Sequence, residues 1–220
     1  MIDFEYLASI FPLLLAGLGV TLTATALAAL IAMVTGLVIA CVQVAKVPVL
    51  TQFFVGFIIV VRNTPLLAQL FFAYYVLPRF GLVFDPFSVG VVVLGLHFTC
   101  YAAEAYRGGF AAVPAGQWEA ARILGLRPIT TFIRVVLPQA IPPVLPSLSN
   151  ILISMLKDTA VLSAITILDL VGITRNLAAA SFQYTTLFTA MGVIFLIITL
   201  PASYLVRRLE RRTSQGRRTP

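Results

Sequence analysis

The chain has 220 residues, 60% of them hydrophobic and only 10% charged, with a mean hydropathy of +1.02. Soluble domains carry about 25% charged residues, so this composition excludes an ordinary globular domain and describes an integral membrane protein. The net charge of +7 does not mark a nucleic-acid binder, because Arg207, Arg208, Arg211, Arg212, Arg217 and Arg218 are gathered at the C-terminal end, where they read as a topological anchor.

The opening "MIDFEY" carries Asp3 and Glu5 and no basic residue, unlike a signal peptide, so the first apolar segment is expected to remain as a membrane helix. A span needs roughly 20 apolar residues, and five segments meet that measure, at about 10–42, 50–78, 87–107, 132–156 and 185–206. The first has Ala24, Ala28, Ala32, Gly36 and Ala40 at every fourth position, a ridge on which another helix can pack closely. Its Thr21, Thr23 and Thr25 can bond their own helix carbonyls. Within the second, "RNTP" places Arg62, Asn63, Thr64 and Pro65 at membrane depth, which predicts a kink or a polar cavity.

Arg107, Arg122, Arg127 and Arg134 sit in or beside the loop at 108–131, whereas "MIDFEY" and "GLVFDP" are poor in basic residues. The positive-inside bias therefore places that loop and the C-terminus in the cytoplasm and the N-terminus outside, which agrees with an odd number of spans. No internal repeat is visible, which argues against a chain built from two inverted halves. After the fourth span, "KDTAVLSAITILDLVGITRNLAAASFQY" is too broken to cross a bilayer, and it reads as an outward loop with one or two short, lid-like helices.

The loop "VPAGQWEAARILGL" has the marks of a short amphipathic helix. Pro114 suits its first turn and Gly125 a left-handed C-terminal position, while Glu119 is favoured near the N-terminus and lies within reach of Arg122. Ala120 and Ala121 would leave a low patch beside Trp118, Ile123 and Leu124. That patch suits a partner's groove, and an interfacial helix with Trp118 at the lipid headgroups is the alternative.

The run Glu119-Ala120-Ala121, then Gly125, then Leu137-Pro138, resembles the EAA loop of permease subunits of bacterial ABC importers. The flanking "RNTPLLAQLFFAYYVLP", "YAAEAYRGGFAAVPAGQWEAA", "LPQAIPPVLPSLSN" and "LKDTAVL" resemble the polar amino-acid uptake permeases, and the likeness covers about residues 10–210. It implies an all-α integral membrane fold of five transmembrane helices with a cytoplasmic coupling helix, the type I importer permease core. The implied organisation is an external segment at 1–9, the transmembrane domain at 10–210 and a basic cytoplasmic tail at 211–220. It further implies an ATP-driven permease in the bacterial plasma membrane for a polar amino acid or similar solute. Expected partners are a cytoplasmic ATPase dimer, a second permease subunit, identical or related, and an external substrate-binding protein. The chain has no G-x-x-x-x-G-K-[ST] run, so ATP and Mg are expected on the partner ATPase and no cofactor on this chain.

The resemblance makes Glu119, Ala120, Ala121 and Gly125 the expected ATPase contact, with Gln117, Trp118 and Arg122 at its edges. For the substrate path, polar groups at membrane depth are the candidates: Asn63, Thr64, Gln69, His97, Tyr101, Glu104, Lys157, Asp158 and Thr159. A zwitterion needs a cation-binding and an anion-binding group, and Glu104 or Asp158 suits its ammonium. Structural readings stand beside these. Glu104 and Arg107 can neutralise each other three residues apart, and His97 can be a packed, hydrogen-bonded side chain. Pro138, Pro142, Pro143 and Pro146 are expected to bend the fourth span.

Three other classes are weighed against this one. An ion-coupled carrier also suits Pro-interrupted spans with buried charge, and a channel or scaffold could bind a partner through the same loop. An enzyme is disfavoured: there is one histidine, no triad or paired carboxylates, and Cys41 and Cys100 lack metal-type spacing.

Overall fold

Backbone groups in lipid must close their hydrogen bonds internally, and a helix does this within one segment. The computed structural model describes residues 2–215, with side chains to Arg208, and its described residues form nine α-helices. The helices are α1 (Phe4–Val44), α2 (Pro48–Arg62), α3 (Leu66–Phe71), α4 (Pro86–Ala111), α5 (Ala115–Ile123), α6 (Pro128–Thr131), α7 (Leu137–Asp158), α8 (Leu170–Ser181) and α9 (Tyr184–Gln215). Four segments are long and apolar enough to cross a membrane, and α2 with Leu66–Phe80 makes a fifth span bent by 105°. The expected five spans are thereby accounted for, by length and composition.

The first span starts earlier than the sequence suggested, at Phe4, with the Asp3 side chain accepting from the Tyr6 N–H at 2.9 Å as its cap. The alanine ridge is buried throughout, and it lies along α4. A Cβ added to Gly36 would come within 2.7 Å of the Ala102 Cβ and 3.0 Å of the Ala103 N. Small side chains are thus what let these two backbones meet. Gly17 and Thr21 extend the ridge outward, to the start of α8, where the Leu170 N–H donates to Thr21 Oγ1 at 3.1 Å.

The helix α4 is the centre of the bundle: 61% of its apolar window is buried, against 6% for α9, whose flank is left for lipid or a partner. One core joins α1, α3, α4, α7 and the 3-10 turn Thr159–Ile165; a second joins the ends of α1, α4 and α7 that lie nearest α5 to its Trp118. A third seats α8 between the start of α1 and α9. The lid-like expectation for the stretch after the fourth span needs correction. The two short helical pieces are there, but Leu162, Ile165, Asp169 and Leu170 are fully buried, so the segment is a wedge built into the core.

The prolines of the fourth span share one helical run. Pro138 lies in the first turn of α7, but Val136 before it is still helical, so its missing N–H falls inside the run that Pro142, Pro143 and Pro146 interrupt further on. A π-helical stretch at Phe132–Val136 precedes them. Of the basic tail expected at 211–220, the backbone of 211–215 ends α9; the side chains of Arg211, Arg212, Arg217 and Arg218 lie outside the described residues.

Candidate functional site

Two places carry the chemistry, one at membrane depth and one on the 108–131 loop. The first begins with spacing on α4, where His97 and Tyr101 are four apart and therefore share a face. Across from them, α7 presents Asn150, Ser154 and Asp158, also at steps of four. With Phe98 and Ile151 these side chains line a polar cavity of about 330 Å³. The Arg62 guanidinium, at the end of α2, lies 5.4 Å from the centre of the Tyr101 ring, so a cation stands against one residue of that wall without itself lining the cavity. A carboxylate that lines the cavity and a guanidinium set against one of its wall residues are thus held by different helices.

Of the nine residues expected on the path, the cavity gathers His97, Tyr101 and Asp158. Glu104 is engaged with Arg107 at 2.7 Å, the neutralising pair that their spacing allowed. Thr159 is buried and donates to the Leu156 carbonyl at 2.6 Å, and Lys157 is exposed beyond the cavity wall. Asn150 and Ser154 were missed in the sequence. Their signal was the four-residue step Asn150, Ser154, Asp158, which places three polar side chains along one face of an otherwise largely apolar helix.

Asn63, Thr64 and Gln69 stand at the break in the second span. Pro65 has no N–H and pushes Thr64 out of the helical region, so α2 ends with bare carbonyls. Asn63 Nδ2 donates to the Ile59 carbonyl at 2.7 Å, and Thr64 Oγ1 to the Val60 carbonyl at 2.9 Å. Gln69 Nε2 reaches back from α3 to the Val61 carbonyl at 2.8 Å, the Thr64 carbonyl at 3.1 Å and Thr64 Oγ1 at 2.7 Å. Its other end, Oε1, is 3.1 Å from His97 Nδ1. The inside of the elbow, between α2, α3 and α4, is an apolar cavity of about 720 Å³ to which Thr64 and Gln69 contribute.

The second place is α5. Pro114 is the residue just before the helix, and Gly125 takes φ +69° after it. The Leu126 N–H bonds the Ala121 carbonyl at 3.1 Å and the Gly125 N–H the Arg122 carbonyl at 2.9 Å, a Schellman closure. Two expectations change. Glu119 falls beyond the first turn, and no ion pair joins it to Arg122 among the described residues. The low patch is also divided: Ala121 and Trp118 turn inward to the protein's own core, which leaves no free tryptophan for headgroups. Gln139 of α7 donates to Gln117 at 3.3 Å and ties the helix down. The outward face is then Glu119, Ala120, Arg122 and Gly125, with Ile123 at 86% and Leu124 at 76% exposure.

A bundle of spans around a charged cavity, with a pinned helix presenting bare aliphatic side chains on a loop, defines a membrane subunit of a transport system that works with other chains. Residues 32–215 match the model of the binding-protein-dependent transport system inner membrane component family, and the chain belongs to that family. It is 42% identical over 94% of its length to a probable amino-acid ABC transporter permease protein, y4tG, of Sinorhizobium fredii, covering 90% of that protein. It is 34% identical over 93% of its length to the L-cystine transport system permease protein TcyB of Bacillus subtilis, covering 88% of it. Among solved structures, a chain from the crystal structure of an amino acid ABC transporter with histidines is 35% identical, with a TM-score of 0.88 over 96% of this chain and 99% of that one. Membership in an ABC importer family makes the chain a non-enzymatic membrane subunit whose ATP hydrolysis resides on a separate subunit. It also sets aside the ion-coupled carrier, channel and enzyme alternatives.

Proposed function

We propose that the chain moves a polar amino acid or amino-acid-like solute through the cavity between α4 and α7. The observation that carries this is a pair of opposite charges beside the same cavity: Asp158 lines it together with Tyr101, and the Arg62 guanidinium lies 5.4 Å from the centre of the Tyr101 ring. A free amino acid is a zwitterion, and a site shielded from water holds it only if both of its charges find partners. In this reading Asp158 takes the ammonium and Arg62 the carboxylate, with Asn150 and Ser154 as polar wall. The names of the relatives support the substrate class. Replacing Asp158 by Asn is expected to lower uptake at least about tenfold, the cost of losing one charge-assisted contact. Uptake of radiolabelled amino acids by the reconstituted importer checks this, and undiminished transport would remove Asp158 from the path.

The outward face of α5, made of Glu119, Ala120, Arg122, Ile123, Leu124 and Gly125, is the seat of the ATPase in this proposal, with Gln117, Trp118 and Ala121 holding the helix in place. ATP and Mg bind the ATPase dimer, not this chain. A second permease subunit, identical or paralogous, completes the path, and an external binding protein delivers the solute. The chain lies in the bacterial inner membrane with its N-terminus outside, its transmembrane domain spanning about 10–210 and its basic tail in the cytoplasm. Gly125→Asp is expected to abolish co-purification of the ATPase from native membranes while the permease still inserts. Normal recovery of the ATPase with this variant would refute the assignment of that face.

A further inference from the structure

We propose that Gln69 is a positioning residue that fixes His97 as its Nδ1-protonated tautomer, so that the cavity meets its substrate with His97 Nε2 as a hydrogen-bond acceptor. That the cavity is the substrate site rests on the reading given above; the tautomer does not.

The orientation of the Gln69 amide follows from its neighbours. One end lies within 3.1 Å of two backbone carbonyls, Val61 O and Thr64 O, which can only accept. The third neighbour, Thr64 Oγ1, already directs its proton to the carbonyls of Val60 and Val61. An amide oxygen placed there would face three acceptors, so that end is the NH2 group. The end toward His97 is therefore the carbonyl oxygen, and the ring nitrogen 3.1 Å from it, Nδ1, must carry a proton to make the bond.

In the neutral ring this leaves Nε2 with its lone pair. Among the described residues Nε2 makes no hydrogen bond, and the ring, held against Phe98 and Tyr101, forms part of the wall that ends in Asp158. His97 Nε2 and the Asp158 carboxylate both accept, so this end of the cavity selects a substrate group rich in N–H donors, an ammonium or a guanidinium, and turns away a carboxylate. The same amide spans the break between α2 and α3. One side chain thereby ties the bend that Pro65 imposes to the hydrogen-bonding sense of the cavity.

The chain has a single histidine, which makes the test direct. The full-length chain, labelled with 15N-histidine, carrying a tag free of histidine and placed in lipid nanodiscs, gives one pair of ring nitrogen signals. The expected spectrum at a pH where the ring is neutral has Nδ1 protonated and Nε2 bare, favoured by roughly tenfold as a well-made buried hydrogen bond allows. Gln69→Met, close in volume, leaves no oxygen facing Nδ1 and is expected to lose that preference. A wild-type spectrum with the proton on Nε2 overturns the proposal, as does an unchanged tautomer in Gln69→Met. Should Gln69→Met not fold, the wild-type spectrum still decides. Separately, uptake unaffected by Asp158→Asn together with the expected tautomer would defeat the substrate reading of the cavity and leave the role of Gln69 standing.

Discussion

At the scale of single residues, two glycines of the first helix make opposite claims about the seam with α4. Gly36 has no room for a side chain, with Ala102 and Ala103 against it, whereas Gly19 has nothing within 4 Å of where a Cβ would stand. Gly36→Leu is therefore expected to lower the thermal midpoint of the detergent-solubilised protein sharply, by overpacking worth about 1–3 kcal/mol or more. Gly19→Leu is expected to leave it unchanged or slightly raised, because leucine is the better helix former. Equal midpoints for the two variants would contradict the close approach of α1 and α4. The small-residue ridge that announced this seam was legible in the sequence because its period is that of a helix. Which of its members would be tightest was not, since that depends on what stands opposite.

At the scale of elements, α8 shows a titratable group used as a cap. Asp169, between the fourth and last spans, accepts from the Gly172 N–H at 2.8 Å through Oδ1, while its Oδ2 is buried with no hydrogen-bond partner among the described residues. Burial pushes its carboxyl up to about 6. The folded state therefore prefers the neutral acid. The stability from this preference is fully present below the ordinary carboxylate range and is lost as pH rises through about 6. The loss is of the order of 3 kcal/mol. Asp169→Asn keeps a good capping side chain and cannot ionise. Between pH 5 and 7.5 its thermal midpoint should fall less than that of the wild type, and parallel curves would show that Asp169 does not titrate in this range. The sequence showed that the segment was too broken to span, yet not that it was wedged into the core. Its buried residues are interrupted by polar ones whose caps only the fold reveals. The elbow of the second span was better announced, since a proline after Arg-Asn-Thr forces the break by itself.

At the scale of the whole molecule, five-span topology and family could be read from apolar run lengths and the Glu-Ala-Ala loop, because both are contiguous in the chain. The cavity is assembled from α4 and α7, with the end of α2 against its Tyr101, and its two missed residues became visible only when α7 was set against α4. Candidates picked merely as polar at membrane depth divided accordingly: some face the cavity, and Asn63, Thr64 and Thr159 spend their donors on nearby carbonyls. Neutralising the cation beside Tyr101, Arg62→Gln, is expected to raise the KM for uptake of a zwitterionic amino acid several-fold, with expression unchanged, as loss of an exposed-to-half-buried charge contact does. Unaltered uptake kinetics would place Arg62 outside the path.

The Schellman turn after α5 has one more consequence, for the life of the chain before assembly. Ile123 and Leu124 stand side by side and bare, on a turn too tightly closed to fold them away. An adjoining pair of exposed aliphatic side chains is the feature by which cells recognise unfinished proteins and by which such proteins clump. On the proposal that the ATPase seats on this turn, a permease synthesised in excess of it would carry its own mark for disposal, and its abundance is expected to follow that of its partner.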